Sequence, residues 1–392
     1  MKNGSYAKGI VVGVISTVMV ALMVLVTVMF FNIGNLGNLV QTVRILDRYS
    51  LEPLSLSEKA EGAMTGMVSS LEDPYSYYLN EEDYSDLMEE VCGSYDGLGI
   101  YLTTFVDAEY TVVMAPIKGT PAFEAGLQAG DEIVKINGED MAGVGADELA
   151  ATIKTGKESH FVIEVRRDGE MLTFEMDREH IDIPSVDGSF LEGQDGMAYI
   201  AISNFAQNTP TELTETIATL EQEQNINGMI LDLRNNPGGS VESVLAVADM
   251  FLAQGDSILW VESKREETEY AAENANPLSY PLVVLVNENS ASASEILTGA
   301  LKENDRAKIV GVTTFGKGII QSVYTLSDGQ GVKVTTAEYL SPRKNKIHEV
   351  GVAPDIEVEM AGDDISAIYS LDPAVDSQLA EGIKALAQQI SK

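Results

Sequence analysis

Histidine, cysteine and basic charge are all scarce in this chain. Its 392 residues include three histidines and one cysteine. Cys92 alone cannot close an intramolecular disulfide and offers no cysteine-rich metal site, so it reads as a small buried residue. His160 and His180 bracket an alternating, strand-like segment, and His348 sits in a charged turn with Lys344 and Lys346. None stands in a site-like setting, so a hydrolase built from this chain would lack the usual base for a serine nucleophile. The 25 Lys and Arg against 61 Asp and Glu leave a net charge of −36. That excess excludes nucleic acid as a partner, because phosphates would be repelled. It names no substrate, since acidic surfaces also serve solubility. The clusters Glu81-Glu82-Asp83 and Glu89-Glu90 have no neighbouring histidines and read as solvated helix faces. No metal and no other cofactor is expected.

Two residues do stand in chemically meaningful surroundings. Ser292 lies within Asn289-Ser290-Ala291-Ser292-Ala293-Ser294-Glu295, and Lys317 within Phe315-Gly316-Lys317-Gly318. The apolar run Leu282 to Val286 predicts a buried strand, and Ser294 to Leu301 a helix starting just past the serine. The hydroxyl would then sit at a helix N-terminus, where backbone amides can stabilise an oxyanion. Lys308 to Val312 and Ile319 to Tyr324 read as strands, with Lys317 in a glycine-flanked turn between them. A lysine amine acts as a base only when neutral, which means bringing its pKa from about 10.4 toward 7. Burial among apolar groups does this. Against this stands the plainer reading, in which Ser/Ala tracts cap helices and Gly-Lys-Gly makes a turn.

Two patterns nearby point elsewhere and fail on detail. Gly311 to Lys317 fits the first part of a phosphate-binding loop, but Gly318 replaces the Ser or Thr that would hold magnesium, and a strand follows instead of a helix. Ser341-Pro342-Arg343-Lys344 has the Ser-x-x-Lys spacing of penicillin-binding enzymes, yet Pro342 and the surrounding charge favour a loop.

Taken in order, Asp73 to Leu79, Leu231 to Gly239, Asn289 to Glu295, Phe315 to Gly318 with Gln321, and Gly351 to Asp355 resemble the motifs of the carboxyl-terminal processing, or tail-specific, proteases. Order and spacing agree along roughly residues 35 to 360. The resemblance implies a Ser-Lys dyad: Ser292 attacks a peptide carbonyl, Lys317 is base and then acid, and Gln321 orients the lysine. Ser290 and Ser294 are left as turn and cap residues. The oxyanion hole would pair the Ala293 amide with one from Gly238 or Gly239. From roughly Leu39 to Val91 the pattern is helical, and the tail after Asp372 reads as an amphipathic helix; in the family such segments often mediate dimerisation, which makes a homodimer an expectation here. The rival reading is a non-catalytic scaffold that binds C-termini on a dead protease fold.

Between Gly93 and roughly Arg178 short alternating runs and frequent glycine predict a small β-rich domain. Thr120 to Gly126 reads as a short helix with a threonine cap, a proline start and a glycine stop. Gly130 to Gly138 reads as strand and turn. The stretch resembles a PDZ domain, with Gly97-Leu98-Gly99-Ile100 in the place of its carboxylate-binding loop. Leu98, Gly99 and Ile100 would hold a free, apolar C-terminus of a protein or peptide substrate by backbone amides and an apolar pocket. Arg166 and Arg167 read as a solvated face.

Ile10 to Phe31 is uncharged and long enough as a helix to cross about 30 Å of hydrocarbon. Lys2 and Lys8 precede it, which predicts a single-pass cell-membrane anchor with a cytoplasmic N-terminus and everything after about Gly37 outside. A cleaved signal peptide is the alternative, but no small-x-small site follows the run. The expected architecture is a mixed α/β, multidomain chain: stub and transmembrane anchor (1–36), helical region (37–92), PDZ domain (93–179), a protease core of the ClpP/crotonase-like kind that the resemblance implies (180–360), and a helical tail (361–392). Within the core, Ala198 to Ala253 reads strand, helix, strand, glycine loop, helix.

Overall fold

Strands Met197–Ile202, Gly228–Asp232 and Leu282–Val286 are apolar at nearly every position because the sheet they form is covered on both faces. In the computed structural model, residues 3–106, 108–155, 158–360, 368 and 370–391 are described, with side chains for all of these except 3–12, 25, 27–36, 90, 155 and 328. The chain divides into two units, Met1–Tyr78 and Leu79–Lys392.

The central sheet of the second unit runs in the order Val186–Phe190, Met197–Ile202, Gly228–Asp232, Leu282–Val286, Lys308–Gly311, Ile356–Glu357. The first pair is antiparallel and the rest are parallel. Alternate residues supply the two faces. Ile200, Met229, Leu231 and Val284 pack under the helices Thr209–Glu223, Val241–Phe251 and Ala293–Glu303. Tyr199, Ile230, Val283 and Leu285 pack under Leu379 and Leu386 of the tail helix Ser377–Ile390. The strand–helix–strand–loop–helix order expected from Ala198 onward is what forms. A second, antiparallel sheet places Ile319–Thr325, Gly331–Leu340, Ser257–Ser263 and Glu267–Ala271 side by side.

Parallel strands deliver their following loops to one edge of a sheet. Gly228–Asp232, Leu282–Val286 and Lys308–Gly311 are consecutive neighbours, so the loops after them meet. These are the loops that carry Gly238, Ser292 and Lys317.

The tail is fixed to that edge by a buried ion cluster. Arg234 donates through Nε and Nη2 to Asp232 and through Nη1 to Asp376, with both aspartates and the guanidinium almost wholly buried. Burial alone would lower the arginine's pKa, but Asp232 and then Asp376 outweigh it and hold the group above its ordinary value. Tyr199 donates to Asp232 at 2.7 Å; burial first, and then the aspartate's charge, push its pKa up, so it remains a donor. Asp376 also caps the tail helix by accepting from Leu379 N. The apolar face of this helix is thus used within the chain.

The β-rich module has the strand order Ile100–Thr103, Val112–Pro116, Glu132–Ile136, His160–Arg167, Glu170–Asp177, closed by the helices Pro121–Ala125 and Ala146–Thr155. Leu98, Val113, Ile133, Leu149 and Ile163 form its core. Strands Ser94–Gly97 and Glu179–Asp182 pair at its two ends as an antiparallel joint.

Several expectations need correcting. Thr120 does not cap by its side chain; its hydroxyl donates to Ile117 O at 2.6 Å. Arg167 is no solvated residue, since it grips buried Asp131 through two donors and also reaches Gly126 O. Glu89 is half-buried against Lys154, and Cys92 is half-buried where a buried residue was expected. The helix Glu81–Cys92 belongs to the second unit, while the first holds Asn3–Tyr49 and the capping-box helix Leu56–Ser69. Among the described residues no helix is long and apolar enough to cross a membrane, so the expected span over Ile10–Phe31 finds no support. Side chains 10–12, 25 and 27–31 of that run lie outside the described residues.

Candidate active site

Ser292 is the residue before the helix Ala293–Glu303 and has φ 55° and ψ −113°, a backbone conformation that costs a non-glycine residue about 1–3 kcal/mol. Such strain persists only where the surroundings hold it. Here Ser292 N donates to Glu295 Oε2 at 2.9 Å, and Tyr339 Oη donates to Ser292 O at 2.9 Å. The turn sets Ser292 Cβ beside Gly238, at the edge where the three loops meet.

Ser290 and Ser294 are both fully buried and act as pins, which is more than the turn and cap roles expected of them. Ser290 Oγ donates to Leu233 O at 2.8 Å, and Ser294 Oγ donates to Asn236 O at 3.0 Å. Ala291 N donates to Asn236 O as well. The serine segment is therefore laced to the glycine loop at three points. Asn287 adds a fourth: its Oδ1 accepts from Asn235 N at 2.9 Å and its Nδ2 donates to Asn235 Oδ1 at 2.8 Å.

Gly238 lies against the serine. A Cβ built on it would fall 2.8 Å from Ser292 Cβ and 2.9 Å from Ala293 N, so only glycine allows this approach. Its own amide is already engaged, donating to Asn236 Oδ1 at 2.9 Å. Gly239 is exposed, and the bridge beside it runs from Phe205 N to Gly238 O and from Ser240 N to Phe205 O. That pattern leaves the Gly239 amide outside the ladder.

The lysine loop is bound to the serine turn through one carboxylate. Glu295, fully buried, accepts Ser292 N (2.9 Å) and Lys317 N (2.7 Å) on Oε2, and Thr314 Oγ1 (2.6 Å) and Gly316 N (2.7 Å) on Oε1. Tyr339 repeats the link from the second sheet, its hydroxyl shared between Ser292 O (2.9 Å) and Lys317 O (2.6 Å). Burial first, and then the Glu295 charge, push the Tyr339 pKa well up, so the phenol stays protonated and keeps donating. Lys317 is half-buried. The strand after it starts at Ile319, as the sequence predicts, and Gln321 sits at a bulge there, its amide donating to Ile319 O at 3.4 Å.

Sequence reading thus placed Ser292, Ala293, Gly238, Gly239 and Lys317 around one edge, and the fold brings all five there. It missed the linking role of Glu295, which lies inside a quoted motif, and it missed Asn287 and Tyr339 altogether. A buried acid inside a Ser/Ala tract is the signal that could have found the first. His160 and His180 are exposed side chains in and beside the β-rich module, paired with Asp177 and Asp96.

In the β-rich module, Leu98, Gly99, Ile100 and Leu102 face Ala150 and Ile153 of the helix Ala146–Thr155 across a small pocket that opens to solvent. Leu98 is itself buried in the domain core.

Residues 196–358 match peptidase family S41, residues 112–167 match a PDZ domain, and residues 32–83 match the N-terminal domain of the activating protease CtpB. A carboxyl-terminal-processing protease of Synechocystis is 36% identical over 317 residues, covering 80% of this chain and 74% of that one. The carboxy-terminal processing protease CtpA of Bacillus subtilis is 36% identical over 302 residues, 76% of this chain and 64% of the relative. A crystal structure from Bacteroides fragilis, 16% identical, covers 87% of this chain and 93% of its own with a TM-score of 0.51, a likeness of fold. With its S41 core, its PDZ domain and these relatives, the chain belongs to the carboxyl-terminal processing serine proteases.

Proposed function

We propose that this protease is an endopeptidase that takes hold of substrate C-termini in its PDZ pocket and cleaves with Ser292 as nucleophile and Lys317 as base. The observation that carries this reading is the double tie between the two residues, through Glu295 and through Tyr339. A pair linked twice by buried groups is held in register, as nucleophile and base must be. Ser292 Oγ attacks the peptide carbonyl as its proton passes to the neutral Lys317 amine. The resulting ammonium then protonates the leaving amine, and water, deprotonated in turn by the lysine, hydrolyses the acyl-enzyme. Ala293 N at the helix start and Gly239 N receive the oxyanion, since the Gly238 amide is engaged by Asn236. Gln321, on the strand that follows, orients the lysine.

Peptide capture is tested with a loosely folded protein ending in an apolar residue, supplied with a free or an amidated C-terminus. Losing the charge-assisted bonds of the carboxylate is expected to lower kcat/KM about 10- to 100-fold. Mass spectrometry of the products should place new termini within the substrate. Equal cleavage of the two forms would remove the PDZ pocket from the account.

A catalytic part working outside the cytoplasm rests on sequence alone, on Lys2 and Lys8 ahead of the uncharged run Ile10–Phe31, since no described helix qualifies as a span. Protease added to intact cells should then digest it, and full protection in cells of proven integrity would argue against that placement.

A further inference from the structure

The C-terminus pocket already holds a side chain of this chain. Tyr95 lines it together with Gly97, Gly99 and Ile100. A Cβ built on Gly97 would clash with the Tyr95 ring, so the ring packs against Gly97, at the start of the loop where a substrate's last residue would enter. The backbone amides of Ile100 and Gly99 lie near its hydroxyl. In the register of Ile100–Thr103 with Val112–Pro116, Ile117 N donates to Gly99 O, which turns the Ile100 amide to the free edge of the sheet. A terminal carboxylate would need these same amides.

We propose that Tyr95 is a plug in the PDZ pocket, its hydroxyl standing in for the terminal carboxylate, and that a substrate C-terminus binds by displacing it. This rests on the reading of the pocket as a C-terminus site. The plug comes from outside the domain's own sheet, on the joint strand Ser94–Gly97, and Tyr95 is absent from the core cluster. It can therefore withdraw without unpacking the domain. Burial, with Tyr101 and Glu89 nearby, pushes the phenol's pKa up, so the occupant is a neutral hydroxyl. A carboxylate on the same two amides forms the stronger, charge-assisted bonds. Lys154, whose Nζ stands 5.7 Å from the Tyr95 ring centroid and pairs with Glu89 and Asp86, supplies a cation at the rim for the incoming charge. The plug thereby sets a threshold that a free carboxylate passes and an uncharged chain end does not.

The experiment measures binding of a labelled short peptide ending in leucine, as free acid and as carboxamide, by fluorescence anisotropy with the full chain carrying Ser292→Ala to prevent turnover. Tyr95→Phe keeps the ring and removes the hydroxyl. With the hydroxyl no longer holding the amides against either chain end, it is expected to tighten both the free acid and the carboxamide about tenfold. Tyr95→Leu, which also clears the ring from the loop, should tighten both. Free-acid affinity that is unchanged or weaker in Tyr95→Phe, in a protein whose wild type still prefers acid over amide, overturns the plug while leaving the C-terminus pocket standing. If the wild type and both variants bind acid and amide alike, or bind neither, the pocket reading itself falls and the plug with it.

Discussion

Replacing Lys317 by alanine is expected to lower kcat/KM by about 10³-fold or more while leaving the melting temperature within a few degrees, and Ser292→Ala should do the same. In the proposed mechanism each removes a partner in one proton transfer, so the double variant should be scarcely slower than either single one. Lys317→Arg makes the sharper test. It preserves charge and length, yet a guanidinium cannot become a neutral base, so the arginine variant should be as inactive as the alanine one. A merely electrostatic role for Lys317 would be revealed by substantial activity in Lys317→Arg. Burst kinetics with an activated ester separate the steps: wild type should accumulate acyl-enzyme, and none of the variants should. The strained backbone at Ser292 bears on the stability readout, because Ser292→Ala keeps that strain and every backbone bond that holds it.

The loops that carry chemistry were legible in the sequence because each is written in residues with narrow uses. Gly238 is needed where a Cβ would meet Ser292, and the serine-rich segment announces a turn into a helix. Strand order was not legible, because between Gly228–Asp232 and its neighbour Leu282–Val286 the chain leaves for the second sheet through Ser257–Ser263 and Glu267–Ala271. What stayed hidden was closure over long sequence distances. Tyr339 lies on an antiparallel strand whose residues alternate between half-buried neighbours, and nothing local marks one tyrosine as the link between Ser292 and Lys317. Arg167 and Glu89 looked like surface charges because their partners, Asp131 and Lys154, lie 36 and 65 residues away. The tail helix gave an amphipathic pattern without saying which surface it would cover, and the answer depends on Arg234 reaching Asp376 across 142 positions. Tyr95 was likewise unremarked, because a tyrosine on a short strand carries no sign of the pocket it lines.

Glu295→Gln is the second large effect, and its size follows from counting donors. The carboxylate uses four acceptor positions, two on each oxygen. A glutamine offers one oxygen and one NH₂. With the NH₂ turned toward Ser292 N and Lys317 N, two backbone donors would face two more. Turned the other way, it meets Gly316 N and the Thr314 hydroxyl, which already accepts Val352 N at 2.7 Å and has room to accept again. The second orientation wins. One buried amide is then unsatisfied, at a cost of about 1–3 kcal/mol, while the bonds to Ser292 and Lys317 survive. Glu295→Gln should therefore fold, with activity reduced about 10- to 100-fold by the displaced lysine loop. Glu295→Ala strands all four donors in a site with no exposure to water and should be far less stable, losing activity as completely as Lys317→Ala. Tyr339→Phe separates tying from folding: it removes only the hydroxyl link, so kcat should fall while KM for a C-terminal peptide, set at the PDZ pocket, stays put. Urea denaturation alongside steady-state kinetics checks the ordering, and a Glu295→Gln protein as active as wild type would show that the serine and lysine loops hold their register without the carboxylate.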